Sequence, residues 1–158
     1  MAATYQWSET NTVSVVVTDG ISNINFGSVD ACNINTTNYP INISTHSFIK
    51  YIRAKFSSSF TTISNMLFWK SAGNLLTGET IKAGLTTTFV TPVNTASGDS
   101  DCPTSAGSAL AVLSAAGTAT ITSSPGYSEY IRLQLQTTGS APSGNVNQKT
   151  FTFQYDEV

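Results

Sequence analysis

The alternation of apolar and polar side chains within residues 47–70, SFIKYIRAKFSSSFTTISNMLFWK, is the feature that most limits the fold. One face carries apolar side chains, those of Phe48, Ile52, Ala54 and Phe56. The other face carries side chains with polar tips, those of Tyr51, Arg53 and Lys55. A period of two predicts a half-buried strand with one wet face. The three serines at 57–59 predict a turn, after which residues 60–69 return as the second strand of a hairpin.

Shorter segments of the same kind recur along the chain and are separated by turn residues. They predict strands at 13–18, 24–26, 41–43, 80–83, 86–90, 108–116, 118–122, 127–137 and 149–155. Residues 80–83 and 86–90 are predicted to be the two arms of a hairpin across Gly84, and the aperiodic stretches 91–107 and 138–148 to be loops. Many short strands and no convincing helix predict an all-β chain, a β-sandwich of immunoglobulin-like or jelly-roll type.

The first eleven residues differ from the rest because they are polar except for two aromatic side chains, Tyr5 and Trp7. This pattern predicts an extended N-terminal arm at residues 1–11, followed by a single β-sandwich domain at 12–158. An aromatic side chain on a polar arm is otherwise unexplained, so we expect Tyr5 and Trp7 to contact a partner.

The charge content argues against several classes of function. Charged residues make up 10% of the chain, against about 25% in an average globular protein, while 24 threonines and 21 serines supply the polarity. Seven Lys and Arg with a net charge of −2 argue against nucleic-acid binding, which depends on neutralising phosphates. Nothing approaches a run of 18 apolar residues, and the N-terminus lacks the pattern of a signal peptide, so neither membrane nor secretion is predicted.

The residue types that usually carry catalysis are sparse. The single histidine, His46, has no nucleophile motif beside it, and Cys32 and Cys102 are interpreted as two reduced thiols rather than a disulfide. Asp99 and Asp101 are the best metal candidates, but calcium loops normally supply more carboxylates, so we interpret both as turn residues. The sequence therefore predicts no catalytic residue, no cofactor and no metal.

A short tripeptide occurs twice, as Tyr-Ile-Arg at 51–53 and at 130–132. In both copies the alternation places the isoleucine inward, so we predict that Tyr51, Arg53, Tyr130 and Arg132 form an exposed face that contacts a partner. A different hypothesis uses the aromatic side chains as a sugar-binding platform: Tyr5, Trp7, Tyr51, Trp69 and Tyr130. The platform requires these rings to line up on one surface.

Three segments carry a resemblance: FTTISNMLFWKSAG at 60–73, TGETIKAG at 77–84 and QKTFTFQYDEV at 148–158. Through them the chain resembles small virion proteins encoded in the structural gene clusters of tailed bacteriophages. The resemblance implies a non-enzymatic head decoration or cement protein, made in the host cytoplasm and bound to the capsid surface. The implied partners are the major capsid protein and copies of the chain itself, as a homo-oligomer. A neck or tail component is the first alternative, and a carbohydrate-binding module for host attachment is the second.

Overall fold

The computed structural model describes residues 2–142 and 147–158, which form two antiparallel sheets. The strands are β1 (Thr4–Asn11), β2 (Val16–Asp19), β3 (Lys50–Ser57), β4 (Ile63–Ala72), β5 (Glu79–Thr86), β6 (Ser100–Asp101), β7 (Leu110–Val112), β8 (Gly126–Tyr127), β9 (Tyr130–Thr137) and β10 (Thr150–Glu157). The helical part of the described chain is one 3₁₀ turn, Ala106–Ser108. No helix in these ranges is long and apolar enough to cross a membrane. The prediction of an all-β sandwich is confirmed.

The two sheets differ in size. The larger sheet has the order β2-β1-β3-β9-β5-β6, with β8 also paired to β3, and the smaller sheet has the order β10-β4-β7. The core lies between them and combines side chains from both, including Ile52, Phe56, Phe68, Ile81, Ile131 and Leu133. Because seven strands face only three, the smaller sheet is supplemented by irregular segments that pack against the same core.

The apolar side chains of β3 point into the core, as the alternation predicts. Ile52, Ala54 and Phe56 are fully buried between the sheets, as is Phe68 of β4. Phe48 is an exception, because β3 begins only at Lys50 and Phe48 lies before it, half-buried.

The predicted hairpin between β3 and β4 is wrong, because the two strands belong to different sheets. Each has one strongly apolar face. In a hairpin these faces would lie side by side, whereas in opposite sheets they pack against each other and bury both. The connection at 58–62 therefore crosses the sandwich, and Ser58 adopts a positive φ of 69° within it.

The predicted turn at Gly84 is also wrong, because β5 runs without interruption through it. A side-chain carbon at position 84 would lie 2.2 Å from the carboxylate of Asp99 and 3.0 Å from the guanidinium of Arg132. Glycine here makes room for that ion pair above the sheet rather than for a change of chain direction.

The predicted N-terminal arm is not confirmed, because residues 4–11 form β1 and lie between β2 and β3. The register pairs Tyr5 with Phe56 and Glu9 with Ile52. An arm was predicted because polar side chains dominate this strand and polar side chains are usually exposed. Here they are buried: Ser8, Glu9, Thr10 and Asn11. Met1 of the predicted arm, and residues 143–146 of the predicted loop at 138–148, lie outside the described residues.

The long segment between β2 and β3 contains neither of the two strands predicted there, at 24–26 and 41–43. An isolated bridge from His46 to Gln136 is its one strand-like contact within the described residues. Its apolar side chains nevertheless pack against the main core: Ile21, Ile24, Phe26 and Ile41. The segment thus acts as an irregular cover where the smaller sheet ends.

Candidate interaction site at the β1–β2 hairpin

Residues 12–17, which we call the valine tip, are the turn at 12–15 between β1 and β2 together with the first two residues of β2, and they expose a cluster of apolar side chains. Val13 is 78% exposed, Val15 52% and Val16 51%, and Val17 is exposed beside them. Single exposed apolar side chains are common on soluble proteins, but contiguous ones mark interaction surfaces. Strand β2 is also the margin of the larger sheet, and its one charged residue is Asp19 at the end. Edge strands are usually protected by charge or proline, so this edge is open to pairing or packing.

The backbone of the valine tip is strained. Thr12 has a φ of 63° and Val15 a φ of 54°, and both side chains are branched at Cβ. Such residues avoid the left-handed region, where each costs roughly 1–2 kcal/mol. A hydrogen bond of 3.0 Å from the Val15 amide to the Thr12 carbonyl closes the turn. Strain of this kind persists only where the surroundings hold it, and it is concentrated at functional sites.

A buried polar cluster, which we call the ionic cluster, lies directly beneath the tip and holds it. Lys50 Nζ donates to Glu9 Oε1 at 2.9 Å and to the carbonyl of Ala31 at 2.6 Å. Asn11 donates to the same Glu9 oxygen at 2.9 Å and to Asp30 at 3.3 Å. Asp30 in turn accepts from the backbone amide of Thr12 at 2.8 Å, the first residue of the tip. These bonds connect the tip to β3 and to the irregular segment.

Burying the ionic cluster costs free energy. The side chains of Lys50 and Glu9 are 1% and 0% exposed, and removing both charges from water offsets most of their attraction. Four buried polar atoms at 9–12 also lack a hydrogen-bond partner among the described residues: Glu9 Oε2, Thr10 Oγ1, Asn11 Oδ1 and Thr12 Oγ1. Since each such atom costs stability, the cluster is better explained as a device that fixes the geometry of the tip.

The other side of the hairpin is tied by Asp19 at the end of β2. Its carboxylate accepts a short hydrogen bond from Ser8 Oγ and an ion-pair contact of 2.5 Å from Lys55 Nζ. The hydrogen bonds from Lys55 and then Ser8 lower the pKa of Asp19. The hairpin is therefore attached to β3 both through the buried cluster and at the surface.

The predicted contact residues Tyr5 and Trp7 lie on the core face of β1 rather than on an arm. Trp7 packs against Phe153 at 5.3 Å and Phe68 at 6.1 Å between ring centres, and Tyr5 stacks on Phe153 at 5.8 Å. Burial, together with the neighbouring Tyr155, raises the pKa of the Tyr5 phenol. Both side chains are only half-buried, and their contact with a partner stays a prediction.

The two Tyr-Ile-Arg copies are direct neighbours, because β3 and β9 pair with Ile52 opposite Ile131 and Tyr51 opposite Arg132. The prediction that they form an exposed face is wrong for the tyrosines, since Tyr51 is 3% and Tyr130 8% exposed. The segment at 87–99 lies over them, with the Phe89 ring 5.0 Å from that of Tyr51. The sequence reading missed this cover because the segment has no period of its own.

The arginines of the two copies are used within the chain. The guanidinium of Arg53 lies over the rings of Tyr127 and Tyr130, at 4.1 and 4.9 Å from their centres. Arg132 makes a short ion pair with Asp99. Contact of Arg53 and Arg132 with another molecule stays a prediction. Both side chains already interact with residues of their own chain.

The two candidate metal ligands, Asp99 and Asp101, form ion pairs with different residues. Asp99 pairs with Arg132, and Asp101 pairs with Lys82 at 2.6 Å. Within residues 2–142 and 147–158, no three His, Cys, Asp or Glu side chains are grouped as a metal ion would require.

Neither cysteine is in a disulfide. Burial raises the pKa of the Cys102 thiol to about 11, and burial together with the charge of Glu9 raises that of Cys32 to about 11. Both thiols are therefore protonated at neutral pH, which suits the predicted role as small apolar side chains.

Compared with family models, with curated proteins and with solved structures, the chain matches none of them. Its function is therefore inferred from its residues and their geometry. The valine tip is the feature that sequence reasoning missed: the alternation of Val13, Val15 and Val17 predicted a half-buried strand. The one available signal was composition, because a valine-rich turn without glycine or asparagine is unusual in a hairpin.

Proposed function

We propose that this chain is a non-enzymatic structural protein of a tailed-bacteriophage virion, which binds the outer surface of the capsid and reinforces it by bridging subunits. The sequence resemblance at 60–73, 77–84 and 148–158 supports the class. The exposed valine tip carries the proposal structurally, because it offers an apolar, uncharged contact on a rigidly held hairpin. Preorganisation of this kind lowers the entropy lost on docking.

The partners in this proposal are the major capsid protein and further copies of the chain. A surface with few charges cannot steer association over long distances, so affinity would come from shape, apolar contact and repetition over many identical sites. The valine tip is small for a single stable interface, and avidity over the lattice compensates for that.

Labelled particles test the proposal. The chain, tagged at its exposed C-terminal residue Val158, is added to particles that lack it and located by electron microscopy. The proposal predicts label over the whole head. Label confined to the neck or tail would move the protein to that part of the virion, and absence of label from particles would contradict a virion role.

A further inference from the structure

A large cleft opens in the sandwich away from the valine tip. Its volume is about 1120 Å³, at or above the upper end of the ~300–1000 Å³ usual for small-molecule sites. It lies where the three-stranded sheet leaves the core face of the larger sheet uncovered, so that Ile81 of β5 and Leu135 of β9 reach its floor. The irregular segment at 21–43, together with residues before β10 and the first two residues of that strand, forms its walls.

The lining combines aromatic rings with uncharged hydrogen-bonding groups. Trp7, Phe26 and Phe151 supply the rings. Side-chain amides come from Asn23, Asn25, Asn42 and Gln148, and hydroxyls from residues that include Thr36 and Thr37. An amide both donates and accepts, as does a hydroxyl, so these groups match a ligand rich in hydroxyls.

Among the described residues of the lining, the charged side chains are Glu79 and Lys149, which neutralise each other. Their ion pair is 2.9 Å long, and the side chains are 1% and 7% exposed. Glu79 Oε2 accepts both from Lys149 and from the Leu76 amide, whereas Glu79 Oε1 is buried without a partner among the described residues. A phosphate or carboxylate ligand needs a free cation, and a lipid chain needs a mainly apolar wall. The described lining offers no free cation, and a lipid chain would leave the amides and hydroxyls spread along the wall without hydrogen-bond partners.

Contacts within the chain hold the described parts of the wall in place before any ligand arrives. Gly73, which follows β4, has a φ of 82°, and a side-chain carbon there would lie 2.2 Å from the carbonyl oxygen of Gln148, so the two backbones approach closely at this point of the wall. Thr138 donates to the carbonyl of Gly78 at 2.9 Å, and Lys149 is fixed by its ion pair. A pre-formed site loses little entropy on binding.

We propose that this cleft binds a neutral oligosaccharide. The apolar faces of the sugar rings pack against Trp7 and Phe151, and their hydroxyls bond to the amides of Asn23 and Asn42 and to Oδ1 of Asn25, whose Nδ2 already donates to the Ile34 carbonyl. This inference is independent of the capsid role, because the cleft and the valine tip are formed by different residues. It retains the sugar-binding hypothesis from the sequence but changes the site. Of the five predicted platform aromatics, Trp7 alone is in the described lining of the cleft.

A glycan array of neutral and acidic oligosaccharides, probed with the full chain, tests the proposal. Neutral array members that bind are then titrated while tryptophan fluorescence is recorded. The Trp69→Phe variant, which leaves Trp7 as the sole tryptophan, isolates the ring in the cleft. We expect a neutral glycan to bind and to change Trp7 emission.

The double variant Asn23→Ala, Asn42→Ala removes two amides from exposed wall positions, so it is expected to fold. It should weaken binding about tenfold, as the loss of two hydrogen bonds implies. Asn38→Ala, an exposed asparagine outside the lining, is the matched control and should bind as the parent does. Binding to no glycan, binding to acidic glycans alone, or equal affinity in the double variant and the control would overturn the proposal. A valine-tip variant should keep its glycan affinity, which separates this result from a failure of the capsid role.

Discussion

Strand β1 presents one face to the core along its whole length, yet the two ends of that face are built from opposite chemistry. At the start, Tyr5 and Trp7 join an aromatic cluster with rings from both sheets: Phe56, Phe68, Phe153 and Tyr155. At the end, Glu9 and Asn11 join Lys50 and Asp30 in the ionic cluster. The two ends are separated by about two residues of one strand.

The difference shows how stability and positioning can be divided within one hairpin. Burial of aromatic rings removes a large apolar area from water and stabilises the fold directly. A buried ion pair contributes little net stability, but its partners must occupy defined places. We infer that the aromatic end holds β1 in the sandwich and that the ionic end sets the direction of the valine tip.

The aromatic end should give the largest loss of stability. Phe56 is fully buried, with the ring of Tyr155 at 4.9 Å and that of Tyr5 at 5.7 Å. Phe56→Ala should lower the free energy of unfolding by about 3–5 kcal/mol, because it leaves a cavity. Urea denaturation measures the change, and Phe48→Ala, at a half-buried position, is the control with a smaller expected loss. Equal losses in the two variants would mean that the core is placed incorrectly.

The ionic end should respond differently to single and double changes. Lys50→Met leaves Glu9 as an uncompensated buried charge and should cost about 3–5 kcal/mol. The double variant Glu9→Leu, Lys50→Met removes both charges and should recover most of that loss. The same urea experiment applies. If the double variant is no more stable than Lys50→Met, the ion pair itself stabilises the fold and the division between the two ends fails.

At the valine tip a substitution should increase stability. Val15→Asn places a residue that tolerates the left-handed region at a φ of 54°, and should stabilise the fold by about 1 kcal/mol. Val16→Asn, on the neighbouring exposed residue without a positive φ, is the control and should show no gain. Thermal unfolding of both proteins measures the difference. A loss of stability in Val15→Asn would show that the tip is not strained.

The surface contact of the hairpin should give the smallest effect, and it depends on pH. Because the folded state lowers the pKa of Asp19, the contribution of this carboxylate is complete above the ordinary aspartate pKa of about 3.9 and declines as the pH falls through the lower folded value. The loss should be small, since surface ion pairs contribute little. Near neutral pH, the urea midpoint of Asp19→Asn should lie slightly below that of the parent. Below about pH 4, the midpoints of the two proteins should converge. An identical pH dependence in both proteins would count against the contact.

The sequence was informative where the period of two coincided with burial. Ile52, Ala54 and Phe56 were predicted correctly because only a strand places them on one face, and β9 and β10 were predicted from the same signal. The sheet to which each strand belongs could not be predicted, because a turn of three serines fits a hairpin as well as a crossing between sheets. Long-range pairing decided between them.

The candidate site was mostly hidden from sequence reasoning. Polar side chains in β1 suggested an exposed arm, yet Glu9 is buried because Lys50, 41 residues away, neutralises it. Tyr51 and Tyr130 do point away from the main core, as predicted, but the segment at 87–99 covers them. Val13 and Val15, which predict a half-buried strand, instead lie in an exposed turn. For Glu9 and for the two tyrosines, a distant part of the chain overrides the local pattern.

Binding to particles by valine-tip variants tests the central claim most directly. Val13→Ser with Val16→Ser removes apolar surface from the tip at two exposed positions, and Val90→Ser does the same at an exposed valine in the 87–99 segment. Each protein is titrated onto particles that lack it, and occupancy is measured by quantitative electrophoresis of the washed particles. We predict at least about tenfold weaker binding of the double variant and unchanged binding of Val90→Ser, since burial of two valines is worth more than 1.4 kcal/mol. Equal occupancy of the double variant and the control would contradict docking through the valine tip.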